Sequence, residues 1–256
     1  MESILQTTQL TKAFGGLVAV DHVDFSIQKG TVCGLIGPNG SGKSTFLNLI
    51  SGFYTPDSGT VVVDSETVTF DLTHTHVYKG IARTFQHTRV FDGLTVAENV
   101  MGSMLFQSNA GWYGKLMRLG KGNREYNRLM QESRAILEGL GLGPIADKNA
   151  AKIPHGQQRF MEIARALAAK PKVLLLDEPA AGMTNQEIDH LKQILMDFRK
   201  QGLTVIIIEH NTGLVKDVSD QITVLNFGKT IADGDPHKVL QDSEVIKAYL
   251  GGDFVA

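Results

Sequence analysis

Apolar residues follow three different patterns along the chain. Short unbroken runs recur in "TVCGLIG", "TVVVD", "KVLLLD", "TVIIIEH" and "QITVLNFG", with helical spacing between several of them. Unbroken apolar strands that alternate with helices predict a mostly parallel sheet covered on both faces. The N-terminal segments "ILQTTQL" and "VDHVDFSIQKG" instead alternate apolar and polar positions, which predicts antiparallel strands beside that sheet. Between about Leu94 and Lys152 the strand pattern vanishes. There "TVAENVMGSMLFQ" and "NREYNRLMQESRAILEGLG" carry helical spacing and flank a Gly-rich segment, "SNAGWYGKLMRLGKG". The expected architecture is an α/β core over 1–86 and 156–256 with an inserted helical subdomain over 87–155. The chain crosses between them near Gln86 and near His155.

Composition narrows the class. A chain of 256 residues buries enough surface to fold without staples. Lys plus Arg is 25 and Asp plus Glu is 27, so there is no cationic excess for displacing counterions, and no nucleic-acid partner is expected. Cys33 is the only cysteine, which fits a reducing compartment, and its strand setting predicts an inert buried thiol. The start "MESILQTTQL" lacks the basic and apolar regions of a signal peptide, and "VLLL" and "VIII" are too short to span a bilayer. A protein that is soluble alone is expected.

The strongest chemical pattern is "GLIGPNGSGKSTFLNLI". Gly37 to Ser44 fits strand–GxxxxGK[ST]–helix, the P-loop, so the core is that of a P-loop NTPase. Its glycines let successive N–H groups converge on a phosphate, and the following helix adds its positive end. Gly37, Pro38, Asn39, Gly40, Ser41, Gly42, Lys43, Ser44 and Thr45 form the expected nucleotide cradle. Lys43 would reach the β- and γ-phosphates and the Ser44 hydroxyl would bind Mg²⁺. Each hydrogen bond to the charged phosphate contributes roughly 1.5–3 kcal/mol net. "KVLLLDEP" then places Asp177 at the end of an apolar strand, where a P-loop protein holds its Mg²⁺. Glu178, one residue on, would orient the attacking water.

The order of these motifs resembles the ATP-binding subunit of an ABC transporter over essentially the whole chain. The resemblance implies an ATPase that uses ATP and Mg²⁺. It makes Gln86 of "RTFQ" a contact to Mg²⁺ or water, and His210 of "VIIIEHN" the switch histidine at the γ-phosphate. Phe14 falls where that family stacks an aromatic on adenine; an ordinary core Phe is the other reading. "IPHGQQ" matches the signature that closes over a partner's ATP, through Pro154, His155, Gly156 and Gln157. The usual form is LSGGQ, so Pro154 stands for Ser and His155 for Gly. Pro brings neither hydroxyl nor N–H, although it suits the first turn of a helix. Phe160, Ile163, Ala164 and Leu167 share a face of that helix and would dock it on the core. Thr184 stands where an acidic residue usually links the two sites, and Asn211 where Asp is common.

"GIARTFQ", "LTVAENV", "GQQRFMEIARAL", "LDEPAAGM" and "VIKAYLG" are similar to importers of branched-chain and other hydrophobic amino acids, in their G-type ATPase chain. The resemblance implies a second ATPase subunit, identical or paralogous, and two membrane-spanning permease subunits. It further implies an extracytoplasmic solute-binding protein that acts indirectly, and a peripheral position for the chain on the cytoplasmic face of the cell membrane. Amide or urea importers use similar cassettes and remain an alternative. A soluble ABC-type ATPase acting on ribosome or nucleic acid usually carries two cassettes or a long coiled-coil insertion, and a GTP switch needs a guanine-reading NKxD; none is present.

Smaller features have plainer readings. His74 and His76 would share a face on a strand but lack a third ligand nearby, which favours a polar turn or helix entry. Trp112, Tyr113, Leu116 and Met117 either pack on their own helices or meet a membrane subunit. Arg124, Arg128 and Arg134 form a solvated helix face.

Overall fold

A computed structural model describes residues 3–69, 73–84, 90–105 and 124–250. Two sheets share the core. The first has the order β2-β1-β4-β5 and is antiparallel: β1 Ser3–Phe14, β2 Leu17–Gln28, β4 Ser58–Val63 and β5 Glu66–Thr67. In β2, Val23, Phe25 and Ile27 are buried while Asp24, Ser26 and Gln28 are exposed, the period of two that a half-buried strand needs. The run "TVVVD" belongs here rather than with the parallel strands expected above, because β4 pairs antiparallel with β1. Only Val61 and Val63 of its three valines are buried, so the apolar run hides an alternation.

The second sheet has the order β10-β9-β3-β8-β7-β6. β3 Val32–Ile36, β6 Ile81–Arg83, β7 Val173–Asp177, β8 Thr204–Ile208 and β9 Gln221–Asn226 run parallel, and β10 Lys229–Gly234 closes one edge antiparallel. Every residue of β3, β7 and β8 is buried, as strands covered on both faces must be. Alternate residues serve the two faces. Val173 and Leu175 join the N-terminal sheet and helix α1 Lys43–Ile50, while Leu174 and Leu176 join the helical side. Phe25 meets Phe46 edge-on at 5.4 Å, fixing the N-terminal hairpin against α1.

The helical side holds α3 Val96–Leu105, α4 Arg124–Gly139 and α5 His155–Leu167; the short α2 Thr73–Tyr78 precedes β6. A reciprocal pair starts α3: the Glu98 amide donates to Thr95 Oγ1, and the Thr95 amide donates to the Glu98 carboxylate. Ser133 of α4 donates its hydroxyl to the Ala97 carbonyl at 2.6 Å, joining the two helices. In α5, Phe160, Ile163 and Ala164 are buried and Leu167 is partly so, with a further buried pair, Arg159 and Glu162, 3.2 Å apart. The remaining helices are α6 Asn185–Lys200, α7 Thr212–Val218, α8 Pro236–Val239 and α9 Ser243–Leu250. A Cβ on Gly34 of β3 would collide with Val215, so glycine there lets α7 lie close.

Several expectations settle here. Cys33 is buried, and burial pushes its thiol up to about 12. His76 sits on helix α2, buried, with Nδ1 3.1 Å from the Ile50 carbonyl; the side chain of His74 lies outside the described residues. No group of three potential metal-binding side chains occurs among the described residues. Arg128 and Arg134 are exposed and pair with Glu132 and Asp147. Trp112, Tyr113, Leu116 and Met117 lie outside the described residues, as does Gln86. Among the described residues no helix is long and apolar enough to cross a membrane.

One ion pair ties the parallel sheet to α1. Arg83, the last residue of β6, donates Nη2 to Asp177 Oδ2 at 2.7 Å. Its Nη1 donates to Asn48 Oδ1 at 2.5 Å and to Ser51 Oγ at 3.3 Å, both near the end of α1. Both charged side chains are at most 10% exposed, so removing one partner strands the other. Arg83→Met is expected to cost about 3–5 kcal/mol, read as a lowered thermal midpoint. Arg83→Met combined with Asp177→Asn should recover much of that loss; an additive double variant would show the pair is not coupled.

Candidate functional site

The site lies at the carboxyl ends of β3, β7 and β8. Their register sets the ends level: Leu35 and Asp177 both pair with Ile208. From the end of β3 the chain enters Gly37–Gly42 and then α1. Gly42 has φ +104, and a Cβ there would strike the Ala19 carbonyl, so only glycine lets the loop enter the helix. The Gly228 amide, in the β9–β10 turn, donates to the Ser41 carbonyl at 2.9 Å and braces the loop from outside.

Lys43 folds back over this loop. Its Nζ donates to the Gly37 carbonyl at 2.7 Å and the Pro38 carbonyl at 2.9 Å. Burial lowers its affinity for a proton, and the charges of Glu178 and Asp177 oppose that shift. Asp177 is buried; its amide donates to Thr84 Oγ1, Arg83 holds Oδ2, and Oδ1 is buried with no hydrogen-bond partner. An orphaned carboxylate oxygen at the strand end beside a glycine-rich phosphate loop fits a hard cation that prefers oxygen ligands. Ser44 is exposed in the first turn of α1.

Glu178 kinks the chain at the strand end. It adopts φ +48, unusual for a residue other than glycine, and its amide donates to the Ile208 carbonyl at 2.9 Å. The kink carries its carboxylate to 3.1 Å from His210 Nε2, just beyond β8. Both side chains retain solvent access. Glu209, between β8 and His210, is buried. Burial pushes its carboxyl up, opposed by the amides of Ala180, His210 and Asn211.

An open cavity of about 450 Å³ lies against the phosphate loop, Glu178 and His210. Lys43, Ser44, Glu178 and His210 line it with the loop glycines, and Phe14 and Phe227 flank it. Phe14 is 44% exposed and meets Tyr54 edge-on at 5.3 Å, so it is a cavity-wall aromatic rather than a core one.

The signature residues stand apart from this cavity. Pro154 is the residue before the first turn of α5, one place earlier than expected from its suitability for that turn, and no side chain caps the helix. Gly156 is buried because a Cβ there would run into the Glu187 carboxylate. Glu187 in turn closes a capping box with Thr184 at the start of α6. Asn211 caps α7, taking the Leu214 amide at 3.0 Å. The two departures, Thr184 and Asn211, thus both occupy helix-cap positions, for which their side chains are well suited.

Arg83, Glu209 and Phe227 were not singled out in the sequence. The available signal for the first two was a charge at the end of an apolar strand, the same signal that marks Asp177. Phe227 is 83% exposed at φ +45, in a turn whose neighbour braces the P-loop.

Known proteins are similar in sequence and fold. The ABC transporter family profile matches residues 20–181, and that of the branched-chain amino acid ATP-binding cassette transporter matches residues 229–255. The high-affinity branched-chain amino acid transport ATP-binding protein BraF of Pseudomonas aeruginosa is 38% identical, covering 97% of this chain and 98% of that one. Its counterpart LivG of Escherichia coli is 35% identical over 98% of both. The ADP conformation of MJ1267, an ATP-binding cassette of an ABC transporter, matches with TM-score 0.86 and 32% identity over 98% of this chain and 100% of that one. The dimeric post-hydrolysis state of the cassette MJ0796 with ADP and Pi matches with TM-score 0.76 and 25% identity, over 91% and 98% of the two chains. A P-loop, a carboxylate pair and a histidine at neighbouring strand ends, on this fold and with these relatives, make the chain a member of the ABC transporter ATPase family, in its branched-chain amino acid branch.

Proposed function

We propose that this ATPase powers uptake of branched-chain or other hydrophobic amino acids, as one of two cassettes that close around ATP on partner membrane subunits. The observation that carries the hydrolytic part is the cavity lined by Lys43, Ser44, Glu178 and His210, with Asp177, whose Oδ1 is buried without a hydrogen-bond partner, next to Glu178 at the end of β7. The uptake reading rests on the transport named for BraF and LivG, and on the match at residues 229–255.

The P-loop amides from Gly37 to Thr45 would receive the phosphates. Lys43 exchanges its two loop carbonyls for phosphate oxygens and stabilises charge on the transferring group. Ser44 and Asp177, with Gln86, would hold Mg²⁺, which when bound neutralises phosphate charge. Glu178 orients water, and His210 meets the γ-phosphate from the neighbouring strand. Phe14 would stack on the base. Pro154, His155, Gly156 and Gln157 would face a nucleotide held by a second cassette, identical or paralogous. The core over 1–86 and 156–256 would carry the chemistry, and the helical insertion over 87–155 would meet two membrane-spanning subunits served by an extracytoplasmic binding protein. That places the chain peripherally at the cytoplasmic face of the membrane.

Glu178→Gln should bind ATP with near-normal affinity and lose turnover by about 10²-fold or more. Near-normal phosphate release from that variant removes Glu178 from the role. Pro154→Ser restores a hydroxyl at the helix start and should raise ATP turnover of the assembled transporter. Unchanged turnover would mean that other donors already suffice at the partner's nucleotide.

A further inference from the structure

Glu209 is a buried carboxylate that the hydrolytic scheme above does not use. One of its oxygens, Oε1, accepts the Ala180 amide at 2.6 Å; the other, Oε2, accepts the amide of His210 at 3.2 Å. Ala180 is two residues beyond Glu178, in the loop that leaves the site. The same loop meets the β8 end through the Glu178 amide and the Ile208 carbonyl. A single side chain therefore joins the backbone that carries Glu178 to the backbone that carries His210, beneath their own 3.1 Å contact.

The choice of a carboxylate is informative. Burial works against its charge, and so does the nearby charge of Glu178. A neutral acceptor would satisfy the Ala180 amide without either cost. What the charge adds is strength: hydrogen bonds to an ionised acceptor are shorter and roughly twice as strong as neutral ones. That strength is useful where two loops must hold a fixed separation while phosphate charge changes beside them.

We propose that Glu209 is a positioning residue for hydrolysis, clamping the loop after Glu178 to the His210 loop so that carboxylate and imidazole keep their register. The proposal rests on the reading of Glu178 and His210 given under the proposed function. The P-loop is braced separately, by the Gly228 amide on Ser41, so nucleotide binding should not depend on the clamp.

The test uses the full chain as wild type, Glu209→Ala, Glu209→Gln and Glu178→Gln. Glu209→Ala should lower kcat about 10-fold or more while KM for ATP stays within about twofold, since only positioning for chemistry is lost. Glu209→Gln keeps one acceptor oxygen for Ala180 but neither the charge nor the second acceptor, so it should recover only part of kcat and lie between Glu209→Ala and wild type. In the nucleotide-free protein, hydrogen exchange at the Ala180 and His210 amides should accelerate together in Glu209→Ala, with β3 and α1 unchanged. Wild-type kcat in Glu209→Ala, a raised KM at unchanged kcat, or unaltered exchange at Ala180 would each overturn the clamp. Turnover lost in Glu178→Gln but kept in Glu209→Ala defeats this proposal alone. Turnover kept in Glu178→Gln defeats the reading beneath it, and the clamp's role in hydrolysis with it.

Discussion

The parallel register of β3, β8 and β7 is the constraint on which the site depends. Because Leu35 and Asp177 both align with Ile208, three strands end at one level. Each then releases a different chemical group: a loop of amides from β3, a carboxylate pair from β7 and an imidazole from β8. Crevices beyond the carboxyl ends of such strands are where open α/β sheets bind ligands. A slip of one residue in β7 would turn Asp177 from one face of the sheet to the other and send Arg83 and Leu175 astray with it.

Charges in this interior come in compensated sets. Lys43 is held by carbonyls of its own loop, Asp177 by Arg83, and Glu209 by main-chain amides. None of these partners is another surface ion pair, whose contribution would be small. One oxygen of Asp177 is nevertheless buried and takes no hydrogen bond. A buried carboxylate acceptor left unmet beside the phosphate loop marks a place for something the polypeptide itself does not supply.

Much of this was legible before any coordinates. The P-loop could be read because phosphate binding demands glycine, lysine and serine at fixed spacing between a strand and a helix. Asp177 stood out because it ends an apolar run long enough to be a buried strand, and His210 through the order of motifs that resembles the family. "TVVVD" was misplaced because three adjacent valines conceal which of them face inward; pairing with β1 decides that, and pairing is not local. Phe14 could not be assigned because a phenyl ring has the same identity in a core and on a cavity wall. Arg83 and Glu209 escaped notice for a related reason. A lone charge beside a strand resembles a solvated one until the Asp177 carboxylate or the Ala180 amide is seen against it.

The backward fold of Lys43 has one more consequence. The cradle carries an internal partner for its own cation: the ammonium donates to two carbonyls, and those bonds must be exchanged before it can meet an anion. A ligand must offer several oxygens at once to replace that internal grip and engage the surrounding amides together. The loop therefore discriminates by the number of contacts made simultaneously, so a chain of phosphates gains entry where a solitary ion has little to gain.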